Sequence, residues 1–163
     1  MSSSLIAGAV SLLLIIISGY VIATGILTIA ESTIYTQSDI TYNQEQMRLT
    51  SVTINSSWDG DSVPKKLYIN AFNNGSTSFT KKDFEKMDLF IYPGNDGKMN
   101  NYNVSKCSPH IPNNTTDPVH GDIINIGMWD PTEVLKMEVP MDTKPDRVIF
   151  VTPNGITAYS SVI

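Results

Sequence analysis

Residues 5 to 30 read LIAGAVSLLLIIISGYVIATGILTIA, and no charged side chain occurs before Glu31. This segment constrains the chain more than anything after it, because water offers no place for so much uninterrupted apolar surface. As a helix it would run about 39 Å at roughly 1.5 Å per residue, longer than the roughly 30 Å hydrocarbon core of a bilayer. Three readings are open: a cleaved secretory leader, a permanent membrane span, and the hydrophobic core helix of a filament. A leader carries a basic flank, an apolar stretch of roughly 7 to 15 residues and a small-residue cleavage site. Here the stretch is longer and no basic residue precedes it, so residues 1–30 read as a lasting helix in a membrane or a filament core. Small residues recur four apart in it, at Ser4 and Gly8, Ala7 and Ser11, and Gly19 and Ala23. That is the loose form of a helix-packing face.

All 16 acidic and 11 basic side chains lie after residue 30, so the net charge of -5 belongs to the polar part alone. No basic stripe tracks a phosphate backbone, and a nucleic-acid partner is not expected. The Lys and Arg bias that orients a span says nothing here, because the first basic residue is Arg48. Orientation comes instead from Asn-x-Ser/Thr sequons at Asn55, Asn74, Asn103, Asn113 and Asn114. As glycosylation candidates they place the polar part outside the cell. Cys107 is the only cysteine, so an intrachain disulfide, a zinc cluster and a CxxC motif are all out of reach, and the residue reads as a loop bystander.

Residues 31–48 contain neither Gly nor Pro, and Ile34, Tyr35, Ser38 and Tyr42 fall near helical spacing without a strong apolar stripe. The spacing predicts a polar helical stalk continuing from the rod. The alternative is a helix that ends near Gln46 and passes directly into a strand, since Thr and Tyr lower helix propensity. Over 49–163 the character changes. LTSVTINSS, KLYINAFN, MDLFIYPG, GDIINIGM, EVLKMEVP, DRVIFVTP and ITAYSSVI are rich in β-branched and aromatic residues, and Gly, Pro, Asn and Asp clusters separate them. Seven or eight such runs predict a β-sandwich. In the second run Leu67, Ile69 and Ala71 share one face, while Val148 to Val151 are apolar on both sides and suit a central strand.

Chemistry is harder to find. Trp58-Asp59-Gly60-Asp61 and Asn95-Asp96-Gly97 lack the ligand spacing of a calcium loop and read as turns. His110 and His120 stand outside any metal or catalytic motif and read as loop histidines. Asp83, Glu85 and Asp88 alternate with Lys81, Lys82 and Lys86 as a solvated face. No catalytic residue, cofactor or metal site is expected, which disfavours a tethered hydrolase or sugar-binding enzyme. Trp129 in GMWDPTEVLKMEV reads as a sandwich core anchor or a partner contact. Pro153-Asn154-Gly155 reads as a hairpin turn needing no ligand.

Taken together, the uncharged helix, the stalk ending near RLTSVTI, KLYINAFNNGST, GMWDPTEVLKMEV and the closing FVTPNGITAYSSV resemble the archaellum family of archaeal swimming-filament proteins. The resemblance implies a long N-terminal hydrophobic helix followed by an immunoglobulin-like, archaellin-like sandwich. Two branches of this type IV pilin-like superfamily compete. Filament subunits carry a short basic leader cut before the helix, and no Lys-Gly or Arg-Gly site precedes Ser2 to Leu5. Uncleaved members resemble the accessory, stator-like protein F. That branch implies a single-span membrane protein with an extracellular domain, anchoring the motor to the S-layer or another envelope protein beside other archaellum components. The alternative is a structural subunit, archaellin or pilin, whose helix packs against copies of itself in a filament.

Overall fold

The computed structural model describes residues 2–94, 98–113 and 119–163, with the side chains of residues 2–4 outside that description. One helix, α1, runs Ser2–Leu49 through both the rod and the stalk. It does not stop near Gln46, because nothing in residues 26–49 breaks it. It closes where the Thr50 N–H donates to the Met47 carbonyl (3.3 Å) and the Thr50 hydroxyl to the Gln46 carbonyl (2.8 Å). The chain divides into two compact units, residues 1–44 and 45–163, so the last turn of α1 belongs with the β domain.

Among the described residues the second unit holds seven strands: β1 Val52–Asp59, β2 Lys66–Asn73, β3 Asp88–Pro93, β4 Asn100–Asn103, β5 Val134–Pro140, β6 Pro145–Val151 and β7 Thr157–Ser161. They form two antiparallel sheets in the orders β1-β2-β5 and β4-β3-β6-β7. This is an immunoglobulin-like arrangement in which the fourth strand has moved from the first sheet to the edge of the second. Period-two alternation decides the faces. Leu67, Ile69, Ala71, Leu135, Met137 and Val139 point inward from one sheet, and Leu89, Ile91, Val148 and Phe150 from the other, all of them buried. The doubly apolar run 148–151 lies in β6, flanked by β3 and β7 as a central strand should be.

Two sheet edges are closed locally. A parallel bridge joins Ser56 to Val162, with the Trp58 N–H on the Ile163 carbonyl (3.0 Å), and His110 bridges Lys136 beside β5. The expected strand in GDIINIGM is not formed; residues 121–128 are a loop, apart from an isolated bridge at Asp122. Conversely β4, from the polar run NNYN, was not legible as a strand. Among the described residues, every buried hydrophobic one lies beyond position 49, so a fragment starting at Glu45 should fold alone, stay soluble and unfold cooperatively in urea. Precipitation of that fragment would show that its core needs the helix.

Candidate functional site

The first unit is a single helix whose apolar residues face outward on every side. Leu12 to Ile17 are six successive aliphatic residues that together sample all directions around the axis, and each is 50–69% exposed. An all-round apolar surface suits lipid, whereas a helix packed on one partner carries a stripe. The hydroxyls do not interrupt it. Ser11 donates to the Ala7 carbonyl (2.9 Å), Ser18 to Ile15 (3.0 Å), Thr24 to Tyr20 (3.0 Å) and Thr28 to Thr24 (3.0 Å). The serine and threonine hydroxyls are thus satisfied inside the helix, as hydrocarbon surroundings demand. Of the helix-packing candidates, Ala7, Gly8, Ser11, Gly19 and Ala23 are exposed, and a Cβ added at Gly8 or Gly19 would meet nothing within 4 Å. The side chain of Ser4 lies outside the described residues.

In the second unit, two of the stretches that carry the sequence resemblance, NNGST and PNG, converge on residues 46–51, and the third, around Trp129, bonds Asn73 at the base of the first. Asn73, buried at the end of β2, accepts the Gly75 N–H on Oδ1 (3.2 Å) and donates from Nδ2 to the carbonyls of Thr77 (2.7 Å) and Trp129 (3.4 Å). The turn so shaped returns to the helix end, with the Asn74 N–H on the Ser51 carbonyl (2.8 Å) and the Ser76 N–H on the Leu49 carbonyl (2.7 Å). Glycine is required between them, because a Cβ at Gly75 would lie 2.4 Å from the Leu49 oxygen and 2.5 Å from the Ser51 nitrogen. From the β6–β7 hairpin, Asn154 Nδ2 donates to the Gln46 carbonyl (3.2 Å) and to Thr50 Oγ1, and Thr50 Oγ1 bonds Thr77 Oγ1 (3.0 Å). The hairpin turn itself is explained by Gly155 at φ 83°. What the sequence did not reveal is that Asn154 ties that turn to the last turn of α1.

Trp129 is fully buried between Phe79 (ring centroids 5.3 Å) and Phe150 (6.0 Å, edge-on), and its Nε1–H donates to the Glu133 carbonyl (3.0 Å). Glu133 is buried as well. Its Oε1 accepts the Ile123 N–H (2.8 Å) and its Oε2 the Asp130 N–H (2.9 Å). Asp130 accepts the Asn125 N–H and Asp122 the Gly127 N–H, both at 2.8 Å. These bonds explain why GDIINIGM is a loop: carboxylates hold amides that a strand would give to a neighbour. The Asp-x-x-Glu spacing after Trp129 was the available signal for this anchor.

The remaining candidates scatter. Among the described residues no group of three His, Cys, Asp or Glu side chains could hold a metal ion. His110 is exposed, while His120 is half-buried, edge-on to Phe72, with Nδ1 3.0 Å from the Thr132 carbonyl oxygen. Asp83 caps Thr80 rather than pairing with a lysine, and Lys66–Glu138 (2.7 Å) is the ion pair among the described residues. Cys107 is a core residue, 2% exposed, and not a loop bystander; burial pushes its thiol up to about 11. Folded protein should therefore resist alkylation at pH 8 and react at the ordinary thiol rate once denatured. Equal rates in the two states would contradict the burial.

The sequons fall in different settings. Asn55 is exposed on β1 and Asn74 is exposed in the turn after β2; Asn113 is exposed beside Asp122, and Asn114 and the Asn95-Asp96-Gly97 turn lie outside the described residues. Asn103 caps the short 3-10 turn Val104–Lys106, accepting the Ser105 N–H (3.1 Å) and donating to the Glu85 carbonyl (2.7 Å). Asn103→Ala should cost about 1 kcal/mol of domain stability, the usual loss for a cap, read from urea midpoints.

The domain is similar to archaellum stator proteins. In one comparison, with the archaellum periplasmic stator protein FlaG from Sulfolobus acidocaldarius, identity is 20%, coverage 69% of this chain and 98% of that one, and the TM-score 0.43. In another, with a chain of the archaellum periplasmic stator protein complex FlaF and FlaG from the same organism, identity is 17%, coverage 69% and 88%, and the TM-score 0.43. No protein-family model matches the chain, and no curated protein matches it. Likenesses this remote assign no residue a role, so the roles argued here rest on the geometry above.

Proposed function

We propose that this chain is a non-enzymatic accessory protein of the archaellum, held in the membrane by residues 5–30 and presenting its β domain outside the cell as a stator-like anchor. The observation that carries the reading is the rod: apolar on every side, with the Ser and Thr hydroxyls of residues 5–30 bonded back into the helix. A helix apolar all round belongs in lipid or among other apolar helices, and fractionation separates the two. The β domain adds a folded body whose NNGST and PNG turns fasten the last turn of the helix, with WDPTE bonded to Asn73 behind them. An anchor has to be tethered at one end and bind protein at the other, and the S-layer or another envelope protein is the partner this role needs.

Fractionation tests it. Intact protein should stay in the membrane fraction after cells are sheared, and external protease should cut the β domain without opening the cell. Recovery in the sheared filaments would replace the anchor with a filament subunit. A β domain protected from external protease would overturn its outward placement.

A further inference from the structure

Two of the sequons, at Asn55 and Asn74, are separate in sequence but neighbours in the fold. On β1 the side chains alternate, so Thr53, Asn55 and Ser57 are exposed on one side while Val52 and Ser56 are buried on the other. Asn55 therefore shares a solvent-facing side with Ser57, the hydroxyl that completes its sequon. Asn74 Nδ2 donates to Thr53 Oγ1 (2.8 Å), and Thr53 is only two residues, roughly 7 Å, from Asn55 along the same face. Ser76, which completes the second sequon, is exposed as well. Across the register Asn55 lies opposite Asn70, Thr53 opposite Phe72 and Ser57 opposite Tyr68. The residues directly opposite on β2 are therefore uncharged, and two of them are aromatic.

Asn103 differs on each point. It is half-buried, its Nδ2 is bonded to the Glu85 carbonyl, and its Oδ1 accepts both the N–H and the hydroxyl of Ser105. The hydroxyl and amide of that sequon are thus occupied by each other, inside a 3-10 turn whose Val104 is buried.

We infer that Asn55 and Asn74 are modified together as one glycan-bearing patch on the three-stranded sheet, while Asn103 is a structural cap that stays bare. This rests on the outward placement of the β domain proposed above. The donor is a sugar carried on a lipid phosphate. Nδ2 bonds to the anomeric carbon as the carbon–oxygen bond to the phosphate breaks. The lipid phosphate leaves, and Nδ2 gives up one of its two protons. The proton that remains lets a modified Asn74 keep its bond to Thr53, so the modification fits the fold as it stands.

The test uses full-length protein from the membranes of its native cells, with external protease reporting topology and glycopeptide mass spectrometry reporting occupancy. Sugar mass is expected on the peptides carrying Asn55 and Asn74 and not on that carrying Asn103. Asn55→Gln and Asn74→Gln should each remove one step of gel mobility, and the double variant both. Bare Asn55 and Asn74 in a protease-accessible domain would reject the patch and leave the topology intact. Sugar on Asn103 would reject the structural exclusion. A domain that external protease cannot reach would reject the topology and the patch together.

Discussion

Trp129→Ala should destabilise the β domain by about 3–5 kcal/mol, the range for deleting a large buried aromatic. The indole is fully buried, touches Phe79 and Phe150, and donates to the Glu133 carbonyl. Its main chain also pairs with Phe79 in both directions, at 3.0 and 2.8 Å. Removing the ring therefore leaves a cavity between the sheets and takes one of two donors from the Glu133 carbonyl, which also accepts the Asn73 N–H (3.1 Å). Against a typical domain stability of about 5–15 kcal/mol, that is a large fraction. Trp129→Phe keeps most of the volume while losing part of the ring system and the N–H, so it should cost much less. Urea titration of the fragment beginning at Glu45 measures both. A near-native midpoint for Trp129→Ala would mean that the indole is not a core anchor.

The second large effect concerns the rod. Leu14→Arg and Ile17→Arg each place a cation near the middle of the apolar stretch, at an insertion cost of about 2.5–3.5 kcal/mol apiece. Together they should shift the protein out of the membrane fraction, whereas Leu14→Phe with Ile17→Leu should not. The β domain is expected to stay folded in both, because its core uses no residue of the rod. Undiminished membrane retention of the double arginine variant would refute the span.

Legibility followed how local each signal is. The rod is a run of one residue class and needs no context to be read. The strands with alternating or β-branched sequences were visible, and Leu67, Ile69 and Ala71 share the inner face as their spacing requires. GDIINIGM misled because strand propensity is local, whereas the fate of its amides is decided by Asp122, Asp130 and Glu133. NNYN was missed for the opposite reason: Asn is a poor strand former, and β4 exists because β3 offers it an edge. The hydrogen bond from Asn154 to the Gln46 carbonyl spans 108 residues, and no pattern along the chain announces it. The neighbourhood of Asn55 and Asn74 is likewise a product of strand pairing.

The evenness of the rod has a mechanical consequence. A cylinder that is equally greasy on all sides has no preferred azimuth in a bilayer, so lipid resists its withdrawal but not its spinning. A static element built on such a tether cannot take up torque through the membrane. Any twist it withstands must be countered where another protein grips it.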